Sequence, residues 1–208
     1  MDQDPPESSS KTLSTKSEEE IEQEIFLEIA SEKHYVSPDL PAWYTEHVAT
    51  NREYYSDLSF QGHSREEFSP CGNYRLVVSW YKSKPGYMGL SRGTVLDVTT
   101  HEVIADIYRN YPHFWSCWAS QNGKSYLLCG EDYQGYTVVD LANKTTTHCV
   151  PSGAEKGHGF CWITVEQQDD ILVVVGCFWA CPEERREYDF SNPEQLPYKL
   201  LKREDVVD

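Results

Sequence analysis

The first clear periodicity in the chain falls at residues 18–32, where Ile21, Ile25 and Ile29 with Phe26 form one apolar stripe against Glu18, Glu22 and Glu24. That spacing is helical. Ser17-Glu-Glu-Glu20 at its start has the form of a capping box, with a hydroxyl for the orphan donors of the first turn and a glutamate three residues on. The pattern predicts one amphipathic helix within 17–33. A helix this short is marginal in water unless its stripe is covered. The stripe is therefore expected to dock on the chain's own domain, with a partner's groove as the alternative. Residues 1–16 hold Ser, Thr, Pro, Asp and Lys with almost no apolar side chain, and read as a disordered acidic tail.

Ser37-Pro-Asp-Leu-Pro41 and the aromatics Trp43, Tyr44, Tyr54, Tyr55 and Phe60 read as irregular chain with one or two short strands. From about residue 66 the pattern repeats, and three segments can be laid over one another. The first runs Phe68-Ser-Pro-Cys-Gly-Asn-Tyr-Arg-Leu-Val-Val-Ser79, then Gly93-Thr-Val-Leu-Asp97-Val-Thr-Thr-His-Glu-Val-Ile104. The second runs from Trp118 to Gly130, then Gly135-Tyr-Thr-Val-Val-Asp140; the third runs from Trp162 to Gly176, then Glu187-Tyr-Asp189. Each is an aromatic-led strand, a tight polar turn, a strongly apolar strand, a loop, and a strand ending in Asp.

Phe68 and Trp118 lie 50 residues apart, Trp118 and Trp162 44, Asp97 and Asp140 43, and Asp140 and Asp189 49. Short antiparallel strands recurring at about 40–50 residues are the pattern of propeller blades. The repeated Asp has a mechanical reason, since a carboxylate at a strand end can accept the N–H groups of the next turn.

Through Phe68-Ser-Pro-Cys-Gly-Asn-Tyr and Gly93-Thr-Val-Leu-Asp-Val-Thr-Thr the chain resembles β-propeller repeats of the WD40 and related kinds, over about 66–203. Gly62-His63 and Gly157-His158 precede the first and third repeats, but the second has no Gly-His and no Trp-Asp occurs. Gly130-Glu-Asp-Tyr-Gln-Gly135 and Tyr188-Asp-Phe-Ser-Asn-Pro193 also look like parts of uncharacterised microbial and giant-virus proteins, a resemblance that implies no function. The expected fold is mainly β: antiparallel β-meander repeats, a partial or small propeller-like arrangement in a single domain over 34–208, behind one N-terminal amphipathic helix. Three repeats leave bare strand edges. Residues 34–66 as a fourth, degenerate sheet, the helix across an edge, or a homodimer are the three ways to cover them.

Charge narrows the partners. With 34 acidic against 18 basic residues, a formal −16, the chain would be repelled by phosphate backbones, so nucleic acid is not expected. The opening Met-Asp-Gln-Asp-Pro-Pro lacks the basic start and apolar run of a secretory signal. The longest apolar run, Ile171 to Cys181, is about half a membrane span, so no membrane partner is expected either. Seven cysteines without framework spacing, mostly in apolar runs, read as reduced core thiols in an intracellular, cytoplasmic protein.

Few motifs carry chemistry. Gly176-Cys-Phe-Trp179 resembles the active-site motif of peptide methionine sulfoxide reductase A, but that motif opens its fold, whereas here only 29 residues follow; a buried strand end is the expectation. His158-x2-Cys161 with Cys177-x3-Cys181 has the ligand types and loose spacing of a zinc site, against core thiols and a loop histidine. Glu131-Asp132 and Glu183-Glu184 are adjacent acids without the opposed geometry of an acid–base pair, and read as solvated loop charge, with Asp132 beside Tyr133 also able to shape a binding surface. No cofactor-binding fingerprint occurs.

The aromatic density is more informative. Trp80, Tyr81 and Tyr87 in the first repeat, Tyr111, His113, Phe114 and Trp115 in the next connection, and Asp132 with Tyr133 are candidate partner-binding residues, because such side chains dominate interface hot spots. The expected function is a non-enzymatic protein-interaction module that uses the loops of its repeats to bind a protein or peptide. The alternatives are a hydrolase-type enzyme with its site in those loops, and a structural or virion-associated component that self-assembles.

Overall fold

The computed structural model describes residues 16–56, 59–83, 88–179 and 181–206, and contacts divide the chain after Ser31 into two units. The expected tail, 1–16, lies outside the described residues except for Lys16. In the first unit, helix α1 (Glu18–Ala30) starts on the predicted box: Glu20 N–H donates to Ser17 Oγ at 3.3 Å and Ser17 N–H to Glu20 Oε2 at 2.9 Å. It ends two residues before the predicted boundary. None of its residues is buried, and the stripe expected to be covered is exposed at Ile21 and Ile25.

The second unit, from Glu32, opens with β1 (His34–Val36) and α2 (Ala42–Arg52). Three antiparallel sheets follow. The first is the meander β2 (Phe60–Phe68), β3 (Tyr74–Tyr81), β4 (Leu90–Asp97) and β5 (Val103–Arg109). The second joins β6 (Ser116–Gln121), β7 (Lys124–Cys129), β8 (Tyr136–Asp140) and β9 (Thr145–Pro151), with β1 added to its outer edge. The third is β10 (Cys161–Gln168), β11 (Ile171–Cys177), β12 (Glu184–Asp189) and β13 (Leu200–Asp205).

The three aligned segments are thus the first three strands of the three sheets, and the repeated aspartates do the work their position suggests. Asp97 Oδ1 accepts from Thr99 and Thr100 N–H at 2.8 and 2.7 Å, Asp140 Oδ1 from Asn143 N–H at 3.0 Å, and Asp189 Oδ1 from Ser191 N–H at 2.9 Å. The turn N–H groups hold Asp97 below the usual carboxylate range, and the Ser191 hydroxyl, then its N–H, do the same for Asp189. The β6–β7 hairpin turns on Asn122-Gly123, both at positive φ (53° and 75°), as a two-residue turn matched to strand twist requires.

Core packing explains why the sheets lie against one another. Leu76, Val78, Val95 and Ile107 of the first sheet share a cluster with Leu127, Val139 and Leu141 of the second, and Phe114 in the connection fills the space over Gly93. Between second and third sheets the contact is aromatic: Tyr136 stacks on Trp162 at 4.3 Å and on Tyr198 at 5.2 Å, while within the third sheet Trp162 stacks on Tyr188 at 5.3 Å. Such pairs add about 0.5–1.5 kcal/mol each beyond their burial. Arg186, fully buried, lies 3.5 Å over the Phe160 ring and binds Glu184 through Nε and Nη2 at 3.0 and 2.8 Å.

Residues 34–66 differ most from expectation. The expected short strands are there, as edge strand β1 and the first part of β2, but helix α2 stands between them and no fourth sheet forms among the described residues. Helix α2 seats Tyr44, Trp43 and Val48 on Val150 and Ala154, and Tyr55 beyond it packs on Tyr81 and Tyr108 at 5.1 and 5.0 Å. No helix among the described residues is long and apolar enough to cross a membrane.

Candidate functional site

In an up-and-down meander alternate turns share an end. The β3–β4, β7–β8 and β11–β12 turns therefore lie at the same end as the β5–β6 and β9–β10 connections between sheets. Helix α2 reaches that end as well. Together they line a cleft of about 1020 Å³.

The loop Gly130–Gly135 is its buried support. Arg109, at the end of β5, donates from Nη1 to Gly130 O and Asp132 O at 2.9 and 2.7 Å, and from Nε to His113 O at 2.7 Å. Burial lowers this guanidinium to about 10, and the nearby Asp132 charge works the other way. Gln134 closes the loop, donating to Ala154 O at 3.0 Å and accepting from Gly159 N–H at 2.7 Å.

Glu131 and Asp132 correct the expectation of solvated charge, for both are buried. Their carboxylates turn inward to partners beneath the turn, while Tyr133 between Asp132 and Gln134 reaches the cleft. Glu131 lies 3.4 Å from Tyr44 Oη, which donates to it, 3.5 Å from Arg52 Nη2 and 3.4 Å from His148 Nε2. Burial, then the Glu131 charge, pushes the Tyr44 phenol up, while burial lowers His148 against the pull of Glu131. Asp132 Oδ1 accepts from Gln134 N–H at 2.9 Å and Oδ2 from Asn110 Nδ2 at 2.8 Å. His47 of α2 brings Nε2 to 3.4 Å from the same Oδ2 and to 3.0 Å from the amide nitrogens of Asn51 and Asn110. The hydrogen bond to Asp132 raises His47 against its partial burial. Glu184, the other paired acid singled out, is also buried: burial opposes its charge, but Arg203 and Arg186 together hold it below the usual range.

Of the candidate partner-binding residues, Tyr111 and Tyr133 line the cleft, their rings 6.2 Å apart, and Asp132 supports it from beneath. Trp179 continues the row, 6.4 Å from Tyr133 and 62% exposed. Trp80 is half exposed on β3 and His113 is exposed. Tyr81, Phe114 and Trp115 are buried, which corrects their assignment to a recognition face: Tyr81 packs under Tyr55 and Phe60, Phe114 on Gly93, and Trp115 against Trp162. Tyr87 lies outside the described residues. His47, Tyr54, Met88, Lys156 and Phe178 line the cleft without having been expected to. The signal that would have found Met88, Lys156 and Phe178 is the parity of the turns; His47 and Tyr54 come with helix α2, which the repeats do not reach.

Cys161 and Cys177 are register partners on β10 and β11, His158 and Cys181 line the cleft, and among the described residues no three His, Cys, Asp or Glu gather as metal ligands. Burial pushes Cys161 up to about 12 and raises Cys177, whose thiol is raised further by Glu183. A nucleophilic cysteine needs the opposite shift. The Gly176-Cys-Phe-Trp179 motif ends β11 at Cys177 as expected, but its Trp turns outward instead of being buried.

No family model matches the chain. Over 141 residues it is 32% identical to an uncharacterized protein of Acanthamoeba polyphaga mimivirus, covering 65% of this chain and 55% of that protein. The chain thus spans about half the length of this relative. The likeness to giant-virus proteins is found; the comparison adds nothing to the propeller likeness.

Proposed function

We propose that the chain is a non-enzymatic interaction module, built of three propeller-like blades, that binds a protein or peptide segment in the cleft where the alternate turns converge. The observation that carries this is the row Tyr111, Tyr133 and Trp179, presented to solvent along a cleft whose floor is fixed by buried hydrogen bonds. Exposed aromatic rings on a rigid support are what interface hot spots are made of. At about 1020 Å³ the cleft reaches the top of the ~300–1,000 Å³ range of small-molecule sites, which favours a chain segment. The hydrolase reading draws no comparable support: of the two imidazoles at the cleft, His47 faces Asp132 and two amides, and none of the described lining residues is a carboxylate.

The test is selection of random peptides displayed on phage against the immobilised full chain, with the selected pool rechallenged on Trp179→Ala and Tyr133→Ala. Binding that falls more than about tenfold on both variants is expected, the size of a modest hot spot. A pool indifferent to both changes, or no enrichment, overturns the proposal.

A further inference from the structure

We infer that the segment this cleft takes is acidic, with carboxylates flanking an aromatic or aliphatic side chain; the inference rests on the reading of the cleft as a binding site. The chain carries 34 acidic residues against 18 basic, yet none of the described residues lining the cleft is Asp or Glu, while His47, Lys156 and His158 all line it. On a chain of this composition the lining stands apart, with Lys156 as a formal cation and no acid among its described residues.

The carboxylates beneath the cleft floor are already engaged. Asp132 is buried and takes Gln134 N–H, Asn110 Nδ2 and His47; Glu131 is buried among Tyr44, Arg52 and His148. Neither is turned to an incoming ligand. Asp132 beneath the floor lies 3.4 Å from His47 Nε2 and raises that imidazole, so the buried acid favours protonation at the cleft. Lys156 sits at the cleft with no ion-pair partner among the described residues.

The rest of the lining supplies the apolar half of the site. Tyr133, Trp179, Phe178 and Met88 offer rings and a thioether, with Met88 and Trp179 among the most exposed large apolar side chains of the chain. An anionic segment approaching a chain of net −16 is repelled elsewhere and attracted here, so the same charges that admit it also orient it. A basic segment would meet Lys156 at the cleft and acids around it, and would dock at the wrong place.

The experiment sequences the phage-selected peptides and measures individual ones against wild-type chain, Lys156→Glu, Lys156→Gln and Trp179→Ala. Acidic residues beside an aromatic or aliphatic position are expected, with binding lost on Trp179→Ala and weakened about tenfold by Lys156→Glu and less by Lys156→Gln. Raising salt to roughly 0.5 M should weaken wild-type binding several-fold, a readout that needs no variant to fold. Peptides of neutral or basic consensus that still require Trp179 overturn this inference and leave the binding proposal standing. A pool indifferent to Trp179→Ala overturns both.

Discussion

Arg109 and Gly130 set the precision of the site at the scale of single atoms. The guanidinium reaches two carbonyls of the β7–β8 loop only because residue 130 has no side chain: a Cβ there would stand 2.5 Å from Arg109 Nη1 and 3.0 Å from Asp132 O. Both neighbours are fixed, one by burial and one by the backbone. Gly130→Ala should therefore cost about 1–3 kcal/mol, the range for forcing atoms into a packed interior. Gly89→Ala makes the contrast, since its Cβ would meet Tyr81 O at 3.4 Å and Pro112 at 3.7 Å, ordinary contacts, and should change stability by no more than about 0.5 kcal/mol. Urea midpoints of the two variants check the pair; equal values would mean that the loop yields and Arg109 does not pin it.

Helix α2 shows at the element scale what the sequence hides. Of its eleven residues only Tyr44 is buried, and Val48 one turn on joins it against Val150 and Ala154, so its apolar period runs for a single repeat. What fixes it is tertiary: Tyr44 and Arg52 on Glu131, and Arg52 over the Tyr108 ring at 4.9 Å. Helix α1 is the opposite case, written fully in its capping box and stripe. The seat of α2 also carries a pH dependence. His148 is held below its ordinary 6.5, so as pH falls through 6.5 the unfolded chain takes up a proton that the folded chain refuses. Stability attached to this group is complete above 6.5 and declines toward the lower folded value. His34 acts in the same direction and His47, raised, in the other: its contribution is complete below 6.5 and fades as pH rises through its folded value. His148→Gln should therefore lose less stability than wild type between pH 7.5 and pH 5, measured by urea unfolding at each pH; an identical drop would show that His148 does not titrate across the transition.

At the scale of the molecule, the repeat pattern foretold antiparallel meanders, the first three strands of each sheet and the aspartate at each third strand, because those features are local and periodic. It did not foretell β1 on the edge of the second sheet. Nor did it foretell which side chains meet at the cleft, where Tyr133 and Trp179 come from turns joined by their parity and His47 from helix α2. The same geometry bears on assembly. On the first sheet the core takes Leu76, Val78 and Val95, so register turns the opposite face outward with Arg92 bound to Asp106 at 2.8 Å and Thr94 to the same carboxylate. On the third sheet Arg186 and Tyr188 face inward, and Arg185 with Glu187 and Glu204 occupies the other face. Edge strand β13 carries Lys202, Arg203, Glu204 and Asp205, and edge strand β2 is bent by register shifts at 60/62 and 63/65. Charges and bulges of this kind resist strand-to-strand addition, and a net charge of −16 adds long-range repulsion between copies. Light scattering on a sizing column should therefore give a mass near the 24.0 kDa of one chain. A mass twice that would mean that a second copy covers one of these faces or edges, and at raised salt it should then persist only if the contact is apolar, which would point to the exposed stripe of α1 and not to the charged faces of the sheets.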